Sequence, residues 1–229
     1  MEPRYHAELI HDALGPYLSL DDRRIIIRAN IMQDFLGPVG HPEYHFDASR
    51  FADGVLYIKS QREKAVAALV GEGNRKAALQ AFGRLLHACH DFYAHSNWVR
   101  LWVASCGGVE QCNPEDTPIC EDPLSVPELQ SGKGSVFWHI AYRLPFVGKH
   151  IKRFYLPPDS HEAMNLDHPG QGVLFAYAMA AARKHTVAEF AHLLRALHAA
   201  GGDEAVARFT GSAPERFYTL MMKEVGGFA

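Results

Sequence analysis

Three metal-capable side chains, His87, Asp91 and His95, recur at four-residue steps within residues 79–101, LQAFGRLLHACHDFYAHSNWVRL. On an α-helix each such step advances the side chain by only about 40°, so the three form one narrow stripe. The stretch lacks proline, and Phe82, Leu85, Leu86 and Phe92 supply apolar contacts beside the stripe. Imidazole and carboxylate are ligands for zinc and similar divalent ions, and a shared aspartate can bridge two of them. The same row also suits a buried polar stripe satisfied by hydrogen bonds alone. Further donors lie elsewhere: His6, Asp34, the loop residues His41, His45 and Asp47, and a late cluster of His161, Glu162, Asp167 and His168. His6 and His11 are five apart, about 140° around a helix, and so do not serve one ion together.

Positioning these groups calls for helices. The pattern predicts one over residues 4–14, ended by Gly15-Pro16, and a second from the cap Ser19 to Gly37-Pro38, with Asp21 and Asp22 favouring its dipole. Asp34 then falls in a last turn, where a carboxylate opposes the dipole and a nearby cation would suit it. Helices are expected again near 58–70 and through the central stripe to residue 101. After Val103 come about thirty residues rich in Gly, Pro, Cys and acid, too long for a mere connector and expected to lie over the site as a lid or to carry specificity. Residues 135–159 read as two short strands or an aromatic helix. Helices at 173–184, 187–200 and 213–224 complete the chain, with His185, His192 and His198 assigned to solvent-facing or cap positions.

With 229 residues, 48% hydrophobic and 21% charged, the chain fits a single globular domain over 1–229. A formal net charge of -3 gives no electrostatic case for nucleic acid. Lys149, Lys152 and Arg153 beside Phe154 and Tyr155 form the one basic and aromatic cluster. No run approaches the ~20 apolar residues of a membrane span, and no secretory leader is visible, so a cytoplasmic location is expected. Three of the four cysteines (Cys106, Cys112 and Cys120; the fourth is Cys89) share one loop at spacings unlike a zinc knuckle.

The segments YHAELIHDAL, NIMQD, YHFD, LLHACHDFYAHSNW and HEAMNLDHPG resemble the zinc-dependent phospholipase C and single-strand nuclease superfamily, closest to its heterokaryon-incompatibility C (Het-C) branch. The resemblance implies an all-α, multi-helix phospholipase C-like bundle with two or three zinc ions between helices. It implies that His6 shares an ion with Asp91. Asp34, His45 and His87 would hold another, bridged by Asp91, while His95 and His161, with Glu162 or Asp167, would contribute to a third. His41, Asp47, His90 and Asn97 would orient the ligating groups.

Ions so placed would activate a bridging hydroxide for attack at phosphorus, with Asp34 and Asp91 in catalytic roles. The expected activity is hydrolysis of a small phosphorylated substrate or a phospholipid head group. Two other readings compete: a non-catalytic, metal-stabilised Het-C-like recognition or effector protein, and an HD-type phosphohydrolase using His90-Asp91 and His11-Asp12. Oligomeric state is not legible in the sequence.

Overall fold

The structure is a computed structural model that describes residues 1–36, 41–133, 156–157 and 159–211. Its described elements are helices and turns, with isolated bridges at Ser96–Ser131 and Lys133–Ser160. The all-α expectation holds at that level.

The central helix is α4 (Arg75–His95), started by Asn74, whose side chain accepts from the Ala77 N–H at 3.1 Å. Every residue from Leu85 to His95 is buried, so this half of the helix is enclosed on all sides and its polar stripe has nowhere to go but inward. The predicted helix through residue 101 does not form. Asn97 trades backbone and side-chain hydrogen bonds with Gln130 and gives its amide to the Glu128 carbonyl, which competes with the helical ladder. Ser96 is therefore extended, and a separate α5 (Trp98–Ser105) follows.

Two helices bring donors to α4 from the N-terminal side: α1 (Pro3–Leu14) and α2 (Leu20–Leu36). The second runs parallel to α4, because Asp22 meets Arg75, Ile26 meets Gly83 and Asn30 meets His87 in order. Gly83 permits the approach; a Cβ there would lie 2.3 Å from the Ile26 carbonyl oxygen. The parallel pairing needs a return segment, supplied by α3 (Phe51–Val66), which starts well before residue 58 and ends in a π turn at Ala67–Gly71.

One turn, α6 (His161–Met164), precedes α7 (Leu174–Thr210). Residues 184–187 stay helical, so the two helices expected at 173–184 and 187–200 are one. Thr186 satisfies its hydroxyl on the Ala182 carbonyl inside the helix. The break comes later, where Gly201 and Gly202 leave helical geometry and Gly202 takes φ +63°. Phe190 and Phe209 nevertheless lie with ring centroids 6.5 Å apart, whereas a straight helix would part them by about 28 Å. The C-terminal arm of α7 thus folds back, and both rings also pack on Phe82 of α4.

The loop after Val103 is not a lid. Its middle lies along α7, where Tyr177 donates to the Cys112 carbonyl at 2.8 Å and Lys184 to the Thr117 carbonyl at 3.0 Å. Only its far end reaches the donor cluster. The four cysteines are free thiols. No described helix is long and apolar enough to cross a membrane. The helix expected at 213–224 and all but residues 156, 157 and 159 of the segment expected as strands or a helix at 135–159, including the Lys149, Lys152 and Arg153 cluster, fall outside the described residues.

Candidate metal centre

Asp91 is the hub. One donor atom each from His6, Asp34, His87 and Asp91 lies within 4.8 Å of every other. Asp91 Oδ1 is 3.3 Å from His6 Nε2, and Asp91 Oδ2 is 3.1 Å from His87 Nε2 and 2.8 Å from His45 Nδ1. His87 Nε2 is also 3.0 Å from His45 Nδ1 and 3.8 Å from Asp34 Oδ1. Four ligands at zinc–nitrogen and zinc–oxygen distances are about 3.3 Å apart along a tetrahedral edge, and these separations bracket that value. The Met1 nitrogen meets the same carboxylate, 2.7 Å from Asp91 Oδ1.

A second group, Asp47, His95 and His161, adjoins the first. Asp47 Oδ1 is 3.4 Å from His95 Nδ1 and 3.1 Å from His161 Nδ1. Asp167 closes the other side, 3.1 Å from His95 Nε2 and 3.9 Å from His161 Nε2. Asp47, expected only to orient ligands, therefore stands among the donors. Glu162 belongs to neither group of donors. The late residues arrive because Gly132 lets two backbones touch: a Cβ on it would sit 2.5 Å from His161 Cα.

The backbone around Asp47 is strained. Phe46, Ala48 and Ser49 all take positive φ, at 53°, 56° and 55°. Each such non-glycine residue costs on the order of 1–3 kcal/mol and persists only where its surroundings enforce it. Ser131 and Gly132 do so: the Ser131 hydroxyl donates to the Phe46 carbonyl, the Ser49 N–H donates to Ser131 Oγ at 2.8 Å, and the Ala48 N–H donates to the Gly132 carbonyl at 2.9 Å. Sequence reading missed this clamp, since nothing in Ser-Gly marks it.

The electrostatics favour ligating forms. Burial, then the charge of His87, pushes His6 down to about 3, and burial likewise lowers His45. Burial also holds His90 well below its usual range, and its Nδ1 lies 2.9 Å from His6 Nδ1 while its Nε2 meets Thr186. For Asp91 burial acts upward, but the Met1 nitrogen, His95 and His87 outweigh it and keep the carboxyl well below its ordinary range. Asp47 is lowered too, His95 and His161 prevailing over burial. Asp34 alone is raised, by burial. Burial thus favours neutral imidazoles at His6 and His45, facing an ionised Asp91, the forms that bind metal. His95 is the exception, raised by Asp91 and the neighbouring carboxylates against its burial.

A third group, Cys89, His185 and Glu189, is already committed. Arg62 places its guanidinium on both Glu189 oxygens at 2.7–2.8 Å, and His185 Nδ1 pairs with the Tyr93 hydroxyl at 3.0 Å. His185 is thus packed against α4 from within α7, neither at a solvent-facing nor at a cap position as expected. His11 contacts Arg23, away from both donor groups.

Residues 21–106 match the model of the VWA7 N-terminal domain. Von Willebrand factor A domain-containing protein 7 of Mus musculus is 45% identical over 78 residues, covering 33% of this chain and 8% of that protein. The Homo sapiens protein of the same name is 44% identical over 78 residues, with the same coverage. No solved structure matches. NIMQD, YHFD and HACHDFYAHSNW all lie inside the matched stretch, so the motifs that suggested a phospholipase C, single-strand nuclease or Het-C relative instead carry similarity to VWA7. That finding overturns the assignment to the zinc-dependent phospholipase superfamily. It also removes the basis for phosphoric-ester hydrolysis, for catalytic roles of Asp34 and Asp91, and for the Het-C effector alternative.

Proposed function

We propose that this chain is a divalent-metal-binding helical module, similar to part of the VWA7 N-terminal domain, in which ions of the zinc type join its helices as structural cross-links. His6, Asp34, His45, His87 and Asp91 would hold the inner ions, and Asp47, His95, His161 and Asp167 an outer one. The observation that carries this reading is a set of buried side-chain atoms without hydrogen-bond partners among the described residues: His6 Nε2, Asn30 Nδ2, Asp34 Oδ2 and His45 Nε2. Three belong to donor residues, and the Asn30 side chain touches His87. Leaving such atoms unpaired costs about 1–3 kcal/mol each, and an ion held through His6 Nε2 and the Asp34 carboxylate would offset that cost at those two residues.

A structural role is favoured over chemistry because His6, His87 and Asp91 are fully enclosed and His45 and His95 nearly so. Structural zinc sites are closed, whereas catalytic ones keep an open position. The test is metal content per chain by elemental analysis of untagged protein, alongside thermal unfolding before and after chelation. Two or three ions per chain, with a lower Tm once they are removed, is the expected result. Protein that takes up no metal from excess zinc, with a Tm indifferent to chelator, would refute the reading.

A further inference from the structure

The outer face of the parallel α2–α4 pair holds a cavity of about 590 Å³ whose charged lining, among the described residues, is wholly cationic: Arg24 and Arg28 from α2, Lys76 and Arg84 from α4. Ile25 and Met32 are among the apolar groups beside them. This concentration is notable in a chain with a net charge of -3. Arg24 and Arg28 sit one turn apart, and Lys76 and Arg84 two turns apart, so the charges line about 12 Å of groove.

The balance of partners is lopsided. Arg24 is paired with Asp21 at 2.9 Å, and Arg84 Nε donates to Gln61 Oε1 at 2.9 Å, which leaves the Arg84 guanidinium with no carboxylate partner among the described residues. The side chains of Arg28 and Lys76 have neither a hydrogen bond nor an ion pair among those residues. Like charges gathered on one wall repel, and two arginine forks beside an ammonium group match the geometry of a multiply charged oxyanion. The volume suits a small molecule, within the usual ~300–1,000 Å³ of ligand sites.

We infer that the α2–α4 groove binds a small ligand bearing several anionic oxygens, either phosphate or carboxylate groups, held by Arg28, Lys76 and Arg84. This site is distinct from the metal centre, shares no donor with it, and stands whether or not ions occupy that centre.

Binding of two weakly chelating probes, a hexose bisphosphate and tricarballylate, would be measured by calorimetry at an ionic strength of about 20 mM. Wild type would be compared with Arg28→Gln/Lys76→Gln and with the charge-matched control Lys59→Gln/Arg195→Gln. Both pairs remove two positive charges, and the groove pair touches no partner whose loss would unfold the protein. At least one probe should bind wild type, the groove variant should weaken it about fivefold or more, and the control should leave it within about twofold. The Arg84 Nε–Hε resonance should shift on titration. Preference for the bisphosphate or for the tricarboxylate identifies the ligand class, and either supports the site. Binding of neither probe below about 10 mM, or equal loss in the control, overturns it.

Discussion

Asp91 concentrates the consequences of single substitutions. Its Oδ1 faces His6 of α1 and its Oδ2 faces His87 one turn away on α4 and His45 from the loop, so Asp91→Asn should abolish at least two ions and lower Tm, read by elemental analysis and thermal unfolding. His161→Ala should cost a single ion, because His161 touches only the Asp47 and Asp167 side of the cluster. Full occupancy in Asp91→Asn would show that the carboxylate is no bridge. The stripe of His87, Asp91 and His95 was readable from spacing alone, since a helix fixes the direction of every fourth side chain. Asp47 was not, because its direction is set by the left-handed residues around it and by Ser131, some eighty positions away. The family resemblance failed for another reason. Histidines and aspartates at ligand spacing report what a helix can hold, and they are silent on what, if anything, the bound ions catalyse.

Between elements, two contacts decide stability. Gly83 lets α2 lie against α4, and Gly83→Ala should destabilise by about 2 kcal/mol through overpacking on the Ile26 carbonyl, measured by denaturant unfolding. The second contact is Arg62 with Glu189, which ties α3 to α7. Burial works to raise the Glu189 carboxyl, but hydrogen bonds with His185 and His192 and the Arg62 charge hold it below its ordinary value of 4.5. A depressed folded pKa means stability that is present above the unfolded value and lost as pH falls through the window beneath it. Stability should therefore drop below about pH 4.5, and Glu189→Gln should flatten that part of the profile. Arg62→Ala should cost about 3 kcal/mol at neutral pH, since it strands a buried carboxylate. Periodicity found the helices themselves. It misjudged where they stop, because the stops are made by long-range groups: Gln130 ends α4, while Thr186, bonded within its own helix and to His90, carries α7 through residues that read as a break.

At the scale of the molecule, α7 closes the fold by doubling back at Gly201–Gly202, with Phe209 returned to Phe82 and Phe190. The tip of that hairpin is exposed at Gly201 and its neighbours Asp203 and Glu204, while the arms on either side are anchored in the core. Chain continuity at the tip thus contributes little to holding the arms together. A short Gly/Ser insertion between Gly201 and Gly202 should leave Tm nearly unchanged, whereas the same insertion after Phe190 should unfold the protein. A protease that accepts the tip should yield two fragments that still migrate together under native conditions and part only in denaturant. The hairpin tip is accordingly a place where the polypeptide can be opened, labelled or given new ends while the donor cluster, some distance along α4, is left undisturbed.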